Sequence, residues 1–260
     1  MTRIIIAVAA ALLSLVARAQ VSENRNVADF SKLKASTSVA VSYTISNTKS
    51  VKVETDDNEK LQLVKTEVED GTLKIFVDTG DKNYKTSRKG KKSVNNVHFT
   101  TLKVTVTGPS LKGFKASSSA EIKVENLNTT ENLEIGVSSS ASISGKFKAE
   151  MASVDVSSSA DFKGNVEAKT VSLESSSSAE IVISGKAEKV SVKSSSSSSC
   201  KAKDLIAETA DVKASSSADV SVYVSKSLDA KASSSADIAF YGNPSQVIAD
   251  KSSSGSVTSH

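Results

Sequence analysis

Three serines followed by a small residue recur eight times in the second half of the chain, and successive tetrads end 18 to 21 positions apart. A repeat this short buries its apolar face only by stacking on copies of itself. The pattern therefore predicts an all-β, single-domain parallel β-helix, or β-solenoid, with one tetrad in each coil. The tetrads are Ser117–Ala120, Ser138–Ala141, Ser157–Ala160, Ser176–Ala179, Ser197–Cys200, Ser215–Ala218, Ser233–Ala236 and Ser252–Gly255.

Alternation around the tetrads predicts which residues face inward. Residues two apart share a face of a strand, and counting by twos from the last residue of each tetrad gives a small or apolar set that includes the middle serine. Because serine both donates and accepts hydrogen bonds, stacked inner hydroxyls could satisfy one another. The predicted inner ladder consists of Ser118, Ser139, Ser158, Ser177, Ser198, Ser216, Ser234 and Ser253 with Ala120, Ala141, Ala160, Ala179, Cys200, Ala218, Ala236 and Gly255.

Composition agrees with a narrow core. Aromatic residues make up 4% of the chain and tryptophan is absent, which would fill a globular core poorly but suits stacked coils. The alternative, a flexible serine-rich linker, does not explain why apolar residues keep fixed even offsets from each tetrad. Cys200, the single cysteine, is predicted to be a buried small residue, with a reactive thiol as the alternative.

The N-terminus has the pattern of a secretion signal over residues 1–19. Arg3 precedes the apolar run Ile4–Val16, which is too short to span a bilayer, and a small-x-small triplet predicts cleavage between Ala19 and Gln20. An uncleaved anchor is the alternative. Removing the signal lowers the formal charge from +4 to +2, which argues against a nucleic-acid partner. We therefore expect a protein of the periplasm, the outer-membrane surface or the extracellular space, with no transmembrane segment in the mature chain.

After a leader at residues 20–26, the β-helix domain is predicted to span residues 27–257, with irregular coils at 27–112 and regular coils at 113–257. Ala35–Val39 has the pattern of a degenerate tetrad, about four repeat lengths before Ala120. Alternation predicts further strands at Val39–Ile45, Val51–Val53, Leu61–Val64, Leu73–Val77 and Leu102–Val106. A basic insertion forms a candidate anion-binding loop, or else a solvated excursion, with Lys82, Lys85, Arg88, Lys89, Lys91 and Lys92.

Candidate chemistry is sparse. The residues that follow the tetrads predict an outward column of acidic side chains, interrupted by Lys201. Its members Asp219 and Asp237 would stack one coil apart and could form a catalytic carboxylate pair or share a calcium ion. Lys213 and Lys231 recur in the same coils and could instead neutralise them. We predict no catalytic residue, metal or cofactor; ice binding by the outward serines is a minor alternative. The column consists of Glu121, Asp161, Glu180, Asp219 and Asp237.

The segment Thr107–Leu111, the coils from Phe114 onward and repeats such as Val154–Phe162 together resemble the head GIN domain family of exported Bacteroidetes-type proteins. The resemblance covers roughly residues 27 to 257. It implies a right-handed parallel β-helix and a role as an adhesin, and it supplies no catalytic residues. The family pattern often carries glycine where this chain has serine or alanine.

We therefore expect a non-enzymatic exported protein, either a structural element or one that binds a surface glycan or a host or matrix protein. A carbohydrate-active lyase or hydrolase is the alternative.

Overall fold

The computed structural model describes residues 21–80, 97 and 99–260, which form a β-solenoid of about eight turns. The predicted fold class is confirmed. Each regular coil contributes one segment to a first face, makes a tight turn at its serines, and contributes a second segment to a second face. From β13 to β16 the strands are long because they continue from the second face of one coil into the first face of the next.

The elements follow one another as β1 (Val21–Arg25), β2 (Lys32–Ala35), β3 (Ala40–Ile45), β4 (Ser50–Thr55), α1 (Asn58–Leu63), β5 (Val64–Glu69), β6 (Thr72–Val77), β7 (Leu102–Gly108), β8 (Gly113–Ala116), β9 (Glu121–Thr129), β10 (Asn132–Val137), β11 (Ser142–Lys148), β12 (Met151–Val156), β13 (Asp161–Ser175), β14 (Glu180–Ser194), β15 (Ser199–Ala214), β16 (Asp219–Ala232), β17 (Asp237–Tyr241), β18 (Gln246–Lys251) and β19 (Ser256–Ser259).

The stacking order differs from the chain order at the N-terminal end. The coil made of β2 and β3 lies between the β6–β7 layer and the β8–β9 layer, all in parallel register. The degenerate tetrad at Ala35–Val39 does form a turn, with positive φ at Thr37 and Ser38. However, Ala35 pairs with Ala116, so this coil stacks directly on the first regular one rather than about four coils away.

Antiparallel strands close the N-terminal end of the stack. β5 pairs with β6 on the first face, while β4 pairs with β7 and β1 with β4 on the second face. These pairings cover the parallel edges that would otherwise expose unpaired backbone groups.

A strand predicted at Leu61–Val64 is wrong, because most of this segment forms the short helix α1. The side chain of Asp57 caps the helix by accepting a 2.8 Å hydrogen bond from the Lys60 N–H. Leu61 is the one buried residue of the helix, so local capping and a single apolar contact decide this segment. The other four predicted strands are present as β3, β4, β6 and β7.

The interior is filled by side chains along the whole stack. A row of rings, with centroids 5.7 to 6.2 Å apart, joins Tyr43, Phe114, Phe147 and Phe162. Beyond this row, the core is filled mainly by aliphatic side chains, with Phe240 buried near the C-terminal end of the stack. Because side chains fill the core, the outer columns and turns are the surfaces available to a ligand.

Candidate ligand-binding surface

Eight tight turns stack into a continuous ridge, formed by two exposed serines in each turn with φ between 47° and 63°. Positive φ at both central residues is the geometry of a type I′ turn, and an i-to-i+3 hydrogen bond closes several turns, as from Ala141 N–H to the Ser138 carbonyl at 3.2 Å. We call this set the serine ridge: Ser118, Ser119, Ser139, Ser140, Ser158, Ser159, Ser177, Ser178, Ser196, Ser197, Ser216, Ser217, Ser234, Ser235, Ser253 and Ser254.

Backbone hydrogen bonds hold successive turns in register. The Ser119 N–H donates to the Ser139 carbonyl at 2.9 Å, and the Ser140 N–H donates to the Ser158 carbonyl at 3.0 Å. The same bond recurs along the stack to Ser253. Within the described part of the chain, none of the sixteen ridge hydroxyls has a hydrogen-bond partner, so all are free to meet a ligand.

The predicted inner ladder of middle serines is wrong for seven of its eight members, which are exposed: Ser118, Ser139, Ser158, Ser177, Ser216, Ser234 and Ser253. Face alternation holds only for extended residues, and two consecutive left-handed residues reverse the chain instead. The small residues of the ladder do face inward: Ala120, Ala141, Ala160, Ala179, Ala218 and Ala236 are buried, and Gly255 is half-buried.

One coil is shifted by two residues from its expected register. Its turn uses Ser196 and Ser197, so Ser198 occupies the alanine column and is 1% exposed. Cys200 pairs with Ile181 and Val220 in the next inward column. It is buried as expected, and burial raises the pKa of its thiol to about 12. A run of six serines made the two registers indistinguishable in the sequence.

Three serines do form a buried hydroxyl cluster, though in different columns from those predicted. The Ser175 Oγ lies 2.8 Å from the Ser194 Oγ and 3.1 Å from the Ser198 Oγ, and the last two are 2.9 Å apart. Ser198 Oγ also donates to the Ser175 carbonyl at 3.1 Å. Mutual bonding lets these polar groups occupy positions that valine and alanine hold in neighbouring coils.

The outward acidic column is present, but it is interrupted by Ser142 and, in place of Lys201, by Ser199. Asp219 and Asp237 are adjacent in register, as expected. Lys201 lies two positions further along the strand, where its Nζ forms an ion pair with Glu180. Burial raises the pKa of the Asp161 carboxyl, and the negative charge of Glu180 adds to that rise.

Neither Lys213 nor Lys231 forms an ion pair with Asp219 or Asp237. Lys213 lies on the first face, with its Nζ 3.6 Å from Asp211, and Lys231 occupies the next rung of that face. Within residues 21–80, 97 and 99–260, no three histidine, cysteine, aspartate or glutamate side chains are grouped so that they could hold a metal ion.

Two predicted features lie outside the described residues. These are the cleavage position between Ala19 and Gln20 and the basic loop with Lys82, Lys85, Arg88, Lys89, Lys91 and Lys92. In the portion that is described, no helix has the length and apolar character needed to cross a membrane.

Comparison with protein families matches residues 29–244 to the family described as "Putative auto-transporter adhesin, head GIN domain". The chain belongs to this family. The match covers most of the chain, including the serine turns from Ser117 to Ser235. The resemblance inferred from the tetrads is therefore confirmed, and an adhesin family indicates an exported or surface protein.

Solved structures share the fold at low sequence identity. A protein named "Putative lipid binding protein" from Parabacteroides distasonis has a TM-score of 0.82 and 22% identity, covering 93% of this chain and 96% of that one. A "putative adhesin" from the same organism has a TM-score of 0.82 and 22% identity, with coverages of 93% and 97%. Another from Bacteroides fragilis has a TM-score of 0.64 and 21% identity, with coverages of 94% and 98%. The chain has no match among curated proteins.

Proposed function

We propose that this protein is an exported, non-enzymatic adhesin that binds a surface glycan or a matrix protein through the outer columns of its solenoid. Export rests on the signal pattern at residues 1–19 and on the adhesin family to which the chain belongs. The filled interior supports binding on the outside of the stack rather than within it.

The serine ridge is the observation that carries the proposal. A left-handed conformation costs a residue with a Cβ roughly 1–2 kcal/mol, and glycine adopts it without that strain. Backbone outliers at exposed positions are a physical pointer to function. Serine is the more strained residue in this conformation, but it supplies sixteen regularly spaced hydroxyls to which no described protein group is hydrogen-bonded.

The arrangement of the carboxylates supports a binding role over catalysis. A glycosidase needs one carboxyl as acid and a second as nucleophile or base, placed on opposite sides of the scissile bond. Asp219 and Asp237 instead lie side by side on the outer surface, in adjacent rungs of one face.

A glycan and matrix-protein array probed with the mature chain tests the proposal. We expect saturable binding to at least one immobilised polymer, with no release of reducing sugar or unsaturated product. To test the ridge itself, three central serine pairs are replaced by Asn-Gly, which suits a type I′ turn and removes the hydroxyls. These pairs are Ser158–Ser159, Ser177–Ser178 and Ser196–Ser197.

The Asn-Gly variant should fold like the parent and bind more weakly. Unchanged binding would remove the ridge from the proposal. Product release from any polymer would favour the lyase or hydrolase alternative. Lipid vesicles serve as a further arm, because one structural relative is named as a lipid-binding protein; binding to vesicles alone would contradict an adhesin of glycans or matrix proteins.

A further inference from the structure

Beside the serine ridge, three lysines occupy successive rungs of the first face. Lys193 pairs in register with Lys213, and Lys213 pairs with Lys231. All three are exposed, and neighbouring parallel strands lie about 4.8 Å apart. Like charges directly opposite one another on a sheet are destabilising, so this lysine column stores repulsion that an anion would relieve.

The protein itself neutralises this column only in part. Lys193 Nζ is held 2.8 Å from Glu174, whereas Lys213 Nζ lies 3.6 Å from its nearest carboxylate, on Asp211. Lys231 has no ion pair with any described residue, and Asp250 on the next rung does not reach it. The ammonium groups of Lys213 and Lys231 are therefore the ones most available to a ligand.

The lysines border a shallow groove of about 560 Å³ that runs along the stack, at the foot of the serine ridge. The first serine of each turn lines the groove, and within the described chain their hydroxyls form no hydrogen bonds. A column of ammonium groups thus runs beside a column of serine hydroxyls, while the carboxylates of Asp155 and Glu174 line one end of the groove. The serines are Ser176, Ser195, Ser215 and Ser233.

We propose that this groove binds a linear anionic polysaccharide lying parallel to the solenoid axis. Carboxylate or sulfate groups on successive sugars contact the lysine column, and sugar hydroxyls contact the serines. This inference rests on the proposed function and specifies its ligand class. The basic stretch covers three rungs, because Asp155 and Glu174 precede it in the column and Asp250 follows it.

A nucleic acid is disfavoured as the occupant. Proteins that bind single strands without sequence preference stack bases on aromatic side chains, and no aromatic residue lines this groove. The formal charge of +4 for the whole chain is also small for a protein that binds a phosphate backbone.

Binding is measured by biolayer interferometry with polygalacturonate, which carries a carboxylate on each sugar, with dextran sulfate, and with neutral dextran. We expect both anionic polymers to bind and dextran to fail. The variant K193Q/K213Q/K231Q removes the three charges and should bind about tenfold more weakly, since each exposed charge contact changes the affinity a few-fold. Raising the salt from 0.1 to 1 M, which shortens the screening length from about 10 to about 3 Å, should also weaken binding.

A matched control loses the same charge from lysines that are ion-paired elsewhere on the surface. Lys123, Lys201 and Lys226 pair with glutamates and lie away from the groove. The control K123Q/K201Q/K226Q should bind as the parent does. Glu174→Gln releases Lys193 and should strengthen binding, a gain that loss of folding cannot imitate.

Equal weakening of the two triple variants would show that only net charge matters and would overturn the lysine column as a site. Tighter binding of single-stranded DNA than of either anionic polymer would overturn the ligand class. If the parent binds its array ligand and K193Q/K213Q/K231Q binds it equally well, this inference fails while the proposed adhesin function stands. If no polymer on the array is bound, the proposed function itself fails.

Discussion

Replacing one strained serine pair by glycine should stabilise the protein. Ser139 and Ser140 have φ of 55° and 59°, and the double variant keeps every backbone hydrogen bond of the turn. The left-handed conformation costs each serine about 1–2 kcal/mol, against about 0.5–1 kcal/mol of extra backbone entropy that glycine loses on folding. The net gain is about 0.5–1 kcal/mol per residue, or about 1–2 kcal/mol for S139G/S140G.

Thermal and urea unfolding of S139G/S140G measure this gain, which should raise Tm by roughly 2–4 °C per kcal/mol in a protein of this size. The alanine pair S139A/S140A keeps a Cβ at both positions and should be nearly neutral. Ser153→Gly, in an exposed extended position of β12, should instead lose about 0.5–1 kcal/mol. A glycine pair no more stable than the alanine pair would refute the assignment of strain to these turns.

Three further perturbations test the interior and the open end of the stack. Ser198→Ala should lower the free energy of unfolding in urea by about 1–3 kcal/mol, because it leaves buried hydroxyls unpaired. The control Ser191→Ala, outside the cluster, should be near neutral. Equal losses in the two variants would count against the hydroxyl cluster. Cys200 should react with a thiol reagent only at the rate of unfolding, and immediate labelling at pH 7 would contradict its burial. Because burial raises the pKa of its thiol from 9.0 to about 12, the thiol of the unfolded chain ionises first, and the free energy of unfolding should fall as the pH rises above about 9. On β18, Lys251 occupies the inward column, and within the described residues no further strand pairs with the outer edge of β18. Lys251→Val should promote end-to-end association, measured by light scattering. A strictly monomeric variant would show that this charge does not protect the edge.

The sequence predicted the repeated architecture because the physical rule behind it is local. Apolar residues at even offsets from each tetrad specify one face of a strand, and equal spacing specifies stacking. Ile122, Ile143 and Phe162 accordingly lie in one inward column, as their offsets indicated. The family resemblance followed from the same residues.

The turn geometry could not be read from the same alternation. Ser-Ser-Ser has no glycine or asparagine to indicate positive φ, so an extended reading placed the middle serine inside. In the shifted coil, six consecutive serines made Cys200 and Ser198 equally acceptable in the alanine column. Only the backbone path, with positive φ at Ser196 and Ser197, decides between them.

The N-terminal stacking order depends on contacts between distant segments. The layer of β6 and β7 lies beneath the coil of β2 and β3, although it follows that coil in sequence. Sequence periodicity does not reveal such an inversion, because the pattern of a strand shows which of its residues face inward but not which strands lie beside it. The same reason explains why lysines 18 to 20 residues apart emerged as one column only after the register was known.

The strained ridge and the stacked core depend on each other. A single serine turn with two left-handed residues would be a poor turn in isolation, but here each inner turn is hydrogen-bonded to a neighbour on both sides. The backbone bond from Ser119 to Ser139, and the next from Ser140 to Ser158, fix the turn whatever side chain it carries. The turns are therefore where the side chain can change with least effect on the fold. A ligand that spans several turns would contact serines that are aligned only while the coils remain stacked. Binding should therefore stabilise the stacking of the coils.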